Sequence, residues 1–288
     1  MSRSQARASF IAAVFLYGTI GPVVRLVNAE PEVVVLIRGI VGTLFIACVL
    51  ALRGKPFDLA GLRANAGWLV ASGLCLGINW AALFEAYRYT SVAVASVCNY
   101  TAPVIVVLLA PVIFHERITP FKMGCVVAAL IGIVLVSGIA DADPDSFDPR
   151  GIALGMLSAA SFVGIVICNR FVDGMDSLER VLVQLGSAAI VALAYVLWAN
   201  KGSIPAPVGA LSWAVCLLLG VLHTGVAYIL WFGAQNHLPL QEISLLGYIE
   251  PVMSVLLSAA VLGEPLSALG YAGAALVLGA AAASEISE

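Results

Sequence analysis

Charged side chains are scarce in this chain of 288 residues. Only 11% of the residues are Asp, Glu, Lys or Arg, against about 25% in soluble proteins, while 61% are hydrophobic and the mean hydropathy is +1.04. An ordinary soluble domain is excluded, because too few polar side chains are present to cover its surface. The composition predicts a multi-pass membrane protein whose main partner is the lipid bilayer.

Motifs for catalysis and for nucleic-acid binding are also missing. There is no Walker A loop, no HExxH pair, no zinc-ligand spacing and no nucleophile with a neighbouring base, so we expect no ATP hydrolysis, no metal site, no cofactor and no enzyme activity. No basic patch with interleaved aromatic residues argues for nucleic acid as a partner. Cysteine occurs only singly inside apolar runs and is interpreted as a small hydrophobic residue. The six cysteines are Cys48, Cys75, Cys98, Cys125, Cys168 and Cys216.

What the chain does contain is long apolar runs. Segments of about 20 apolar residues, the length that crosses a bilayer core, recur along the whole sequence. The predicted fold class is therefore an all-α membrane protein with ten transmembrane helices. The predicted spans are 8–27, 32–52, 66–88, 91–114, 120–139, 151–171, 178–199, 209–235, 242–262 and 267–284.

The first apolar run also has features of a signal peptide. Arg3 and Arg7 precede it, and residues 27–29, Val-Asn-Ala, resemble a small-residue cleavage site. Cleavage would leave nine spans and would remove one helix of the repeat described next. We therefore interpret this run as a retained first helix.

The chain contains two degraded copies of one sequence. Residues 96–120 recur 148 positions later with several identities, among them Tyr100 with Tyr248 and Pro103 with Pro251. Each copy holds five predicted spans, an odd number, so the second copy enters the membrane from the opposite side. Inverted repeats of this kind are typical of secondary transporters that alternate access around a midplane site. The predicted organisation is a first repeat over 1–140, an acidic linker over 141–150 and an inverted second repeat over 151–288, which form one integrated transmembrane domain.

The distribution of positive charge predicts the orientation of the chain. Assigning the loops alternately to the two sides puts nine Lys and Arg residues on the side of the N-terminus and four on the other. By the positive-inside rule both termini are cytoplasmic. We expect the protein in a bacterial-type inner (plasma) membrane.

The acidic linker begins like a calcium-binding loop, with Asp141, Asp143 and Asp145 at alternate positions. However, Ser146 stands where such a loop needs Gly, and Ile152 where it needs Glu. A solvated linker is the preferred interpretation.

Pro103 and Pro251 stand near the middle of the fourth and ninth predicted spans. A proline inside a helix lacks the amide hydrogen and clashes with the carbonyl four residues earlier, which belongs to Asn99 in the first copy and to Gly247 in the second. A carbonyl freed in this way is costly in hydrocarbon unless protein or water satisfies it. We therefore predict helix kinks at these two prolines, bordering a polar cavity.

Two stripes of aromatic residues lie in the neighbouring spans. Trp80 and Phe84 share one face of the third span, and Tyr228 and Trp231 share one face of the eighth. Such stripes often pack only against lipid or protein, but the 148-residue offset superimposes Trp80 on Tyr228, which favours an aromatic-walled pocket on a pseudo-two-fold axis. Polar residues predicted at a similar depth are Asn79 and His223.

Ionisable residues inside membrane spans are costly and are therefore functional candidates. Those in the predicted spans are Arg38, Glu85, His223 and Glu250. Glu250 directly precedes Pro251, and its counterpart in the first copy is Ala102, so the fold does not require an acid there. Glu250 either binds a substrate ammonium, or carries a coupling proton, or is a structural acid that is protonated or paired with Arg38.

Helix geometry limits which of these residues share a cavity. Tyr248 and Glu250 are two residues apart, about 200° around a regular helix, so both face one cavity only if the kink reorients them. Glu85 lies nearer a membrane end and could pair with Arg88 one turn on. Arg38 could instead extend its guanidinium towards the interface.

These features together resemble the EamA family of the drug/metabolite transporter superfamily. The resemblance rests on the five-plus-five spans, the Pro-containing fourth and ninth spans, and the segments 116–119 (ERIT) and 264–267 (EPLS), and it extends over essentially the whole chain. Glu116 and Glu264 in these segments are interpreted as structural acids before the next helix, where they suit the positive end of its dipole.

Within that family, residues 99–103 (NYTAP), the Tyr228-x-x-Trp231 pair and residues 248–254 (YIEPVMS) are similar to the bacterial aromatic amino-acid exporters. This similarity implies a central cavity formed without the fifth and tenth spans. Glu250 departs from the uncharged residue expected there in those exporters, so the substrate is left open. By resemblance, the residues that line the cavity are Asn99, Tyr100, Tyr228, Trp231 and Tyr248.

The sequence therefore predicts a secondary transporter that exports small organic solutes, in particular aromatic or neutral amino acids, by alternating access around a central midplane cavity. The alternatives are an exporter of cationic drugs or of another metabolite and, less favoured, a channel. Monomer and homodimer are not distinguished. The predicted substrate-binding residues are Tyr17, Asn79, Trp80, Asn99, Tyr100, Phe162, His223, Tyr228, Trp231, Tyr248 and Glu250.

Overall fold

In the computed structural model, the described part of the chain contains helices joined by short connections, and no strands. The described residues are 1–54, 56–90, 92–113, 119–136, 148–235, 237–262 and 267–286. Most of the acidic linker predicted over 141–150 lies outside them, as do Glu116 and Glu264.

The described residues form fourteen α-helices and one π-helical segment. In chain order they are α1 Arg3–Gly18, α2 Ile20–Val24, α3 Pro31–Arg53, α4 Leu59–Ala86, α5 Val92–Asn99, α6 Ala102–Ile113, α7 Pro120–Val136, α8 Pro149–Arg170, α9 Ser177–Ala199, α10 Ala210–Gly220, the π-helical segment Val221–Val226, α11 Ala227–Gln235, α12 Leu240–Gly247, α13 Ile249–Leu262 and α14 Ala268–Ile286.

Seven spans in the described chain are long and apolar enough to cross a membrane. Three of these are composite: α1 with α2, α5 with α6, and α10 with the π-helical segment and α11. α7 and most of α14 are shorter apolar helices, and α12 and α13 occupy the ninth predicted span. A helix therefore lies in each apolar segment predicted from the sequence, with ends that differ by several residues.

Local signals set several of these ends. The side chain of Asp58 accepts a hydrogen bond from the amide of Gly61 at 2.8 Å, so α4 begins in a polar turn well before its apolar run. Asp176 caps α9 in the same way, accepting from the amide of Leu178 at 2.9 Å. Gly54 ends α3 in the left-handed region, with φ 62°, where a Cβ would be strained.

The helices pack in an arrangement that recurs between the two halves. α4 packs against α8 and α9, and in the second half the corresponding helices α10 and α11 pack against α3 and α1. α5 and α6 pack against α8, as α12 and α13 pack against α1. Two further pairs join equivalent helices, α3 with α9 and α7 with α14. This exchange of neighbours interlocks the two halves.

Glycines allow several of these pairs to approach closely. A Cβ on Gly73 in α4 would lie 2.6 Å from the carbonyl oxygen of Gln184 in α9. Gly155 of α8 meets α5 in a comparable way. A Cβ on Gly273 of α14 would lie 2.6 Å from the carbonyl oxygen of Gly132 in α7. Backbone-to-backbone contact of this kind is how helices associate where lipid gives no hydrophobic drive.

Ion pairs lie near helix ends rather than beside the mid-span breaks. Arg3 Nη2 donates to Glu242 Oε2 at 2.9 Å, and Arg7 Nε donates to the other oxygen of the same carboxylate, which is only 3% exposed. Arg88 Nη2 donates to Glu32 Oε1 at 2.9 Å, joining the end of α4 to the start of α3. These pairs tie helix ends together and leave the interior of the bundle to the groups described next.

Candidate functional site

Both proline-containing spans are broken. α5 ends just before Tyr100, and α12 ends just before Tyr248. Pro103 and Pro251 consequently fall in the first turns of α6 and α13, where the missing amide hydrogen has no intrahelical role. At both prolines the predicted kink takes the form of a helix end followed by a new helix start.

The two breaks, which are equivalent under the repeat, touch each other. Tyr248 Oη donates to the backbone carbonyl of Tyr100 at 3.0 Å. The Tyr248 side chain is fully buried. Because these two residues occupy the same position in the two copies, their contact marks where the pseudo-two-fold relation brings the copies together.

A cavity of about 310 Å³ lies beside the breaks. Its walls come from α1 to α6, α8, α11, α12 and α13, and none of the described residues of α7, α9 or α14 lines it. The break at Tyr248 lets both Tyr248 and Glu250 line the same cavity, which a regular helix would not allow. The predicted substrate-binding residues found in the lining are Tyr17, Asn79, Trp80, Asn99, Tyr100, Phe162, Tyr228, Trp231, Tyr248 and Glu250.

Trp231 anchors the aromatic wall. The centroid of its ring system lies 4.3 Å from that of Phe10, 5.6 Å from that of Tyr17 and 6.3 Å from that of Phe162. These separations lie in or near the range of favourable aromatic pairs. Phe10 is fully buried and holds the indole in place, while Trp231 still lines the cavity.

Trp80 and Tyr228, which the repeat superimposes, lie against each other in the wall. Their ring centroids are 6.4 Å apart and their planes make an angle of 84°. Tyr228 also contacts Tyr17 edge-on, with centroids 5.8 Å apart. The two aromatic stripes therefore form one continuous surface that a ring-bearing ligand could stack against.

A second part of the wall is polar and internally bonded. Asn79 Nδ2 donates to Ser158 Oγ at 2.8 Å, to the Ser158 carbonyl at 2.9 Å and to Asn99 Oδ1 at 3.2 Å. Ser158 Oγ in turn donates to Asn99 Oδ1 at 2.8 Å. The network fixes both asparagines at the edge of the α5 break, and the Asn99 side-chain nitrogen has no protein acceptor among the described residues.

Two charged side chains, Arg38 and Glu250, line the cavity. Arg38 Nε donates to Thr224 Oγ1 at 3.1 Å, and its guanidinium carbon lies 5.1 Å from the centroid of the Trp80 ring. Both charged residues are half-buried. Within the described part of the chain no ion pair joins them, so the predicted pairing of Glu250 with Arg38 is not a direct contact.

His223 lies away from the cavity lining, unlike the other predicted substrate-binding residues. It is buried within the π-helical segment, and its Nε2 lies 2.8 Å from Thr19 Oγ1. Thr19 Oγ1 already donates to the carbonyl of Leu16 at 2.6 Å, so it accepts from a protonated Nε2. His223 thus holds the junction between α1 and α2.

Glu85 also lies outside the cavity lining. Its Oε2 accepts from Tyr195 Oη at 2.8 Å and lies 3.7 Å from Arg88 Nε. Arg88 also pairs with Glu32, so these groups form a polar cluster where α3, α4 and α9 meet. The pairing of Glu85 with Arg88 agrees with the geometry inferred from their spacing.

Further lining residues were not assigned to the substrate-binding site by the sequence, among them Arg38, Ser96 and Ile243. Arg38 carried a signal, an intramembrane charge, but its direction could not be read from the sequence. Ser96 carried a weaker one, because it is identical to its repeat counterpart. Ile243 carried none, since an isoleucine in an apolar run is indistinguishable from its neighbours.

Comparison with known proteins gives several related transporters. The aromatic amino acid exporter YddG of Ancylobacter novellus is 29% identical over 301 residues, covering 99% of this chain and 98% of the exporter. The uncharacterized transporter YxxF of Bacillus subtilis is 23% identical, covering 88% of this chain and 81% of its own length. A biotin transporter of Salmonella typhimurium is 26% identical over 70% of this chain and 66% of its own.

The fold and the repeat are found in the same comparisons. A crystal structure with 22% sequence identity superposes with a TM-score of 0.84 and covers 99% of both chains, so the helical arrangement is shared. The model of the EamA-like transporter family matches twice, over residues 7–138 and again over 149–284. The chain therefore belongs to the EamA-like transporter family of membrane transporters, with two copies of the family's repeat.

Proposed function

We propose that this protein is a secondary transporter that exports aromatic or neutral amino acids from the cytoplasm. The observation that carries the proposal is the aromatic-walled cavity located where the two broken, repeat-related spans meet. Broken spans facing each other across a repeat interface are typical of carriers that alternate access. In this proposal ten spans cross a bacterial inner membrane as two inverted repeats with both termini cytoplasmic.

The size and the lining of the cavity support a ligand of amino-acid size. At about 310 Å³ it lies at the small end of the range for small-molecule sites. Trp80, Tyr228 and Trp231 offer ring faces and edges for stacking. The similarity to an aromatic amino acid exporter over nearly the whole chain points in the same direction.

An exporter of cationic drugs or of another metabolite remains the alternative, and the similarity to a biotin transporter favours keeping it. A channel is less well supported, because two broken, repeat-related spans meet at the cavity, an arrangement typical of carriers. Counterflow distinguishes a carrier from a channel, because a carrier exchanges labelled for unlabelled substrate across the membrane and a channel does not.

The test is transport by purified protein in proteoliposomes loaded with an unlabelled amino acid. We expect saturable uptake of labelled phenylalanine or tryptophan, driven by exchange. A panel of unlabelled amino acids, cationic drugs and vitamins as competitors would rank the substrate classes. Saturable uptake of a cationic drug that amino acids do not compete with would refute the proposal.

Trp231→Ala tests whether the aromatic wall binds substrate. We expect the affinity for phenylalanine to fall at least about fivefold, because a lost aromatic contact costs about 1 kcal/mol beyond its buried area. Alanine transport should change much less. Trp198→Ala is the matched control, since that tryptophan is 68% exposed on α9 and should leave both substrates unaffected. Equal losses for both substrates would mean that Trp231 only packs.

Cysteine labelling tests the orientation. In a background without the six native cysteines, Ala60→Cys at the start of α4 should react with a membrane-impermeant reagent only from the cytoplasmic side. Ser203→Cys, in the connection between α9 and α10, should react only from outside. Both positions are exposed in the structure. Labelling of both from one side would contradict the inverted topology.

A further inference from the structure

We propose that Arg38 and Glu250 are the two charged ends of the binding site and that the ligand is a zwitterion, with its carboxylate on Arg38 and its ammonium on Glu250. This inference rests on the proposed function, and it names which part of an amino acid each side of the cavity binds. It also assigns a direct role to Arg38, which the sequence left between a functional and a snorkelling residue.

The Arg38 guanidinium is held at one edge and free at the other. Nε donates to Thr224 Oγ1, and the Trp80 ring lies 5.1 Å from the guanidinium carbon. In the described chain, neither terminal nitrogen has a protein acceptor. A guanidinium fixed through Nε presents these two nitrogens as a fork, which is the geometry that binds a carboxylate with two parallel hydrogen bonds.

The Glu250 carboxylate, like the terminal nitrogens of Arg38, is available to bind a ligand. It lies in the first turn of α13, immediately after the break at Tyr248, and it lines the cavity. No described side chain donates a hydrogen bond to it or forms an ion pair with it. A carboxylate oriented into a cavity is the natural acceptor for a ligand ammonium, which carries three donors and no acceptor.

Charges in a membrane interior are expensive unless they are compensated. The protein places one of each sign on a single cavity, with no ion pair between them in the part of the chain that the structure describes. A net-neutral zwitterion compensates both at once. A simple cation bound at Glu250 would leave Arg38 without a ligand charge, and a simple anion bound at Arg38 would leave Glu250 without one, so the arrangement favours a zwitterion over both.

The pair also stands apart from the scaffold. The helices α3 and α9 have the same length and begin at Pro31 and Ser177, so the counterpart of Arg38 is Gln184, and at the 148-residue offset of the ninth span the counterpart of Glu250 is Ala102. The second copy therefore forms the counterpart of α3 without the arginine, and the first copy forms the counterpart of α13 without the glutamate. Two charges that the repeat does not need, brought to one cavity from helices far apart in sequence, are accounted for by a ligand with two opposite charges.

The experiment measures binding to the purified wild-type protein of four ligands that share a phenyl ring: L-phenylalanine, phenylalanine methyl ester, 2-phenylethylamine and 3-phenylpropionate. The second and third keep only the ammonium, and the fourth keeps only the carboxylate. We expect L-phenylalanine to bind at least about tenfold more tightly than the other three, because each loses one charge-assisted contact.

Two variants remove the two charges one at a time, so that each charge can be matched to one end of the ligand. Arg38→Met keeps an unbranched stem over Trp80 but removes the charge, and should weaken L-phenylalanine about tenfold to a hundredfold while leaving 2-phenylethylamine no weaker. Glu250→Gln should weaken L-phenylalanine and 2-phenylethylamine similarly and leave 3-phenylpropionate no weaker. Thr224→Val should follow the pattern of Arg38→Met with a smaller change, and Thr224→Ser should restore wild-type binding.

The outcomes separate this inference from the proposed function. Tight binding of L-phenylalanine with equal losses for all four ligands in both variants would overturn the zwitterion site and leave the amino-acid exporter standing. Failure of every amino acid to bind or to be transported would overturn both. Binding of 2-phenylethylamine more tightly than L-phenylalanine to the wild type would overturn the inference in favour of a cation site, even if neither variant folds.

Discussion

The third and eighth spans carry the same pair of packing glycines on unlike backbones. Gly73 and Gly77 are four residues apart in the regular helix α4, and both press against α9. Gly220 and Gly225 are five residues apart, enclose most of the π-helical segment and press against α3, the counterpart of α9. The eighth span thus has one more residue between two fixed packing points, and the wider π-helical turn absorbs it.

The inserted turn has a local purpose that the first half lacks. It contains Thr224, whose hydroxyl donates to the carbonyl of Leu219 at 3.0 Å and accepts from Arg38 Nε. A π-helical turn inside an α-helix is often associated with a functional site. Here the π-helical turn positions Thr224, which in the described chain is the one hydrogen-bond partner of the Arg38 side chain in the cavity lining.

The two helix breaks differ in the same direction. Glu250 follows the second break and lines the cavity, whereas Ala102 follows the first and is 1% exposed within the hydrophobic core. The comparison teaches that the scaffold is shared by both copies, while polar specialisation of the second break and of the eighth span is local. The predictions below test that separation.

The largest effect is expected for Ala102→Glu, which would give the first break the acid of the second. Because residue 102 is packed in apolar surroundings, the carboxylate of the introduced glutamate would have no partner. We therefore expect a loss of about 3 kcal/mol in the free energy of unfolding. Thermal unfolding of the detergent-solubilised protein measures it. Ala102→Ser is the size-matched control and should cost much less. Wild-type stability of Ala102→Glu would mean that the first break is as open to water as the second.

A smaller effect is expected for the packing glycines. Gly73→Ala should destabilise the fold by about 1–3 kcal/mol, because its Cβ meets a backbone carbonyl that cannot move aside. Gly225→Ala should cost less, since the nearest neighbours of its Cβ are side-chain atoms of Phe45, which can shift more readily than a backbone carbonyl. Gly67→Ala and Gly233→Ala, with nothing within 4 Å of the new Cβ, are the controls in the same two spans. Equal stability of all four variants would refute the role given to these contacts.

The smallest effect is expected where the two breaks touch. Tyr248→Phe removes the hydrogen bond to the Tyr100 carbonyl and should cost about 1 kcal/mol of stability. Tyr100→Phe, the same change in the other copy, removes a hydroxyl without a described protein partner and should be close to neutral. Chemical denaturation of the two variants side by side measures the difference. A larger loss for Tyr100→Phe would place the important contact in the first copy.

Much of the fold was predictable from the sequence. The apolar runs located the helices of the described chain, the recurring sequence revealed the repeat, and Pro103 and Pro251 located the breaks to within three residues. Helix ends were less accurate, because caps such as Asp58 lie outside the apolar runs that define a span. Helix ends were predicted from hydrophobicity, whereas local hydrogen bonds at the caps determine where the helices begin and end.

Membership of the cavity lining was predictable where the repeat supplied a second copy of the signal, as for Trp80 with Tyr228 and Tyr100 with Tyr248. It was not predictable where direction depends on a backbone irregularity. His223 was expected in the cavity because of its depth and its ionisable side chain, but the π-helical turn directs it to Thr19. That turn depends on contacts between helices distant in sequence, which spacing within one helix does not reveal.

The contact between α7 and α14 has a practical consequence for mutational scanning. The two helices meet through Gly132 and Gly273, and none of their described residues lines the cavity. Substitutions of their described residues therefore act on helix packing without removing a side chain from the cavity lining. In a library covering the whole chain, the tolerance profile of α7 and α14 is an internal baseline, and a cavity position whose growth defect exceeds that baseline at equal abundance identifies a residue that handles substrate.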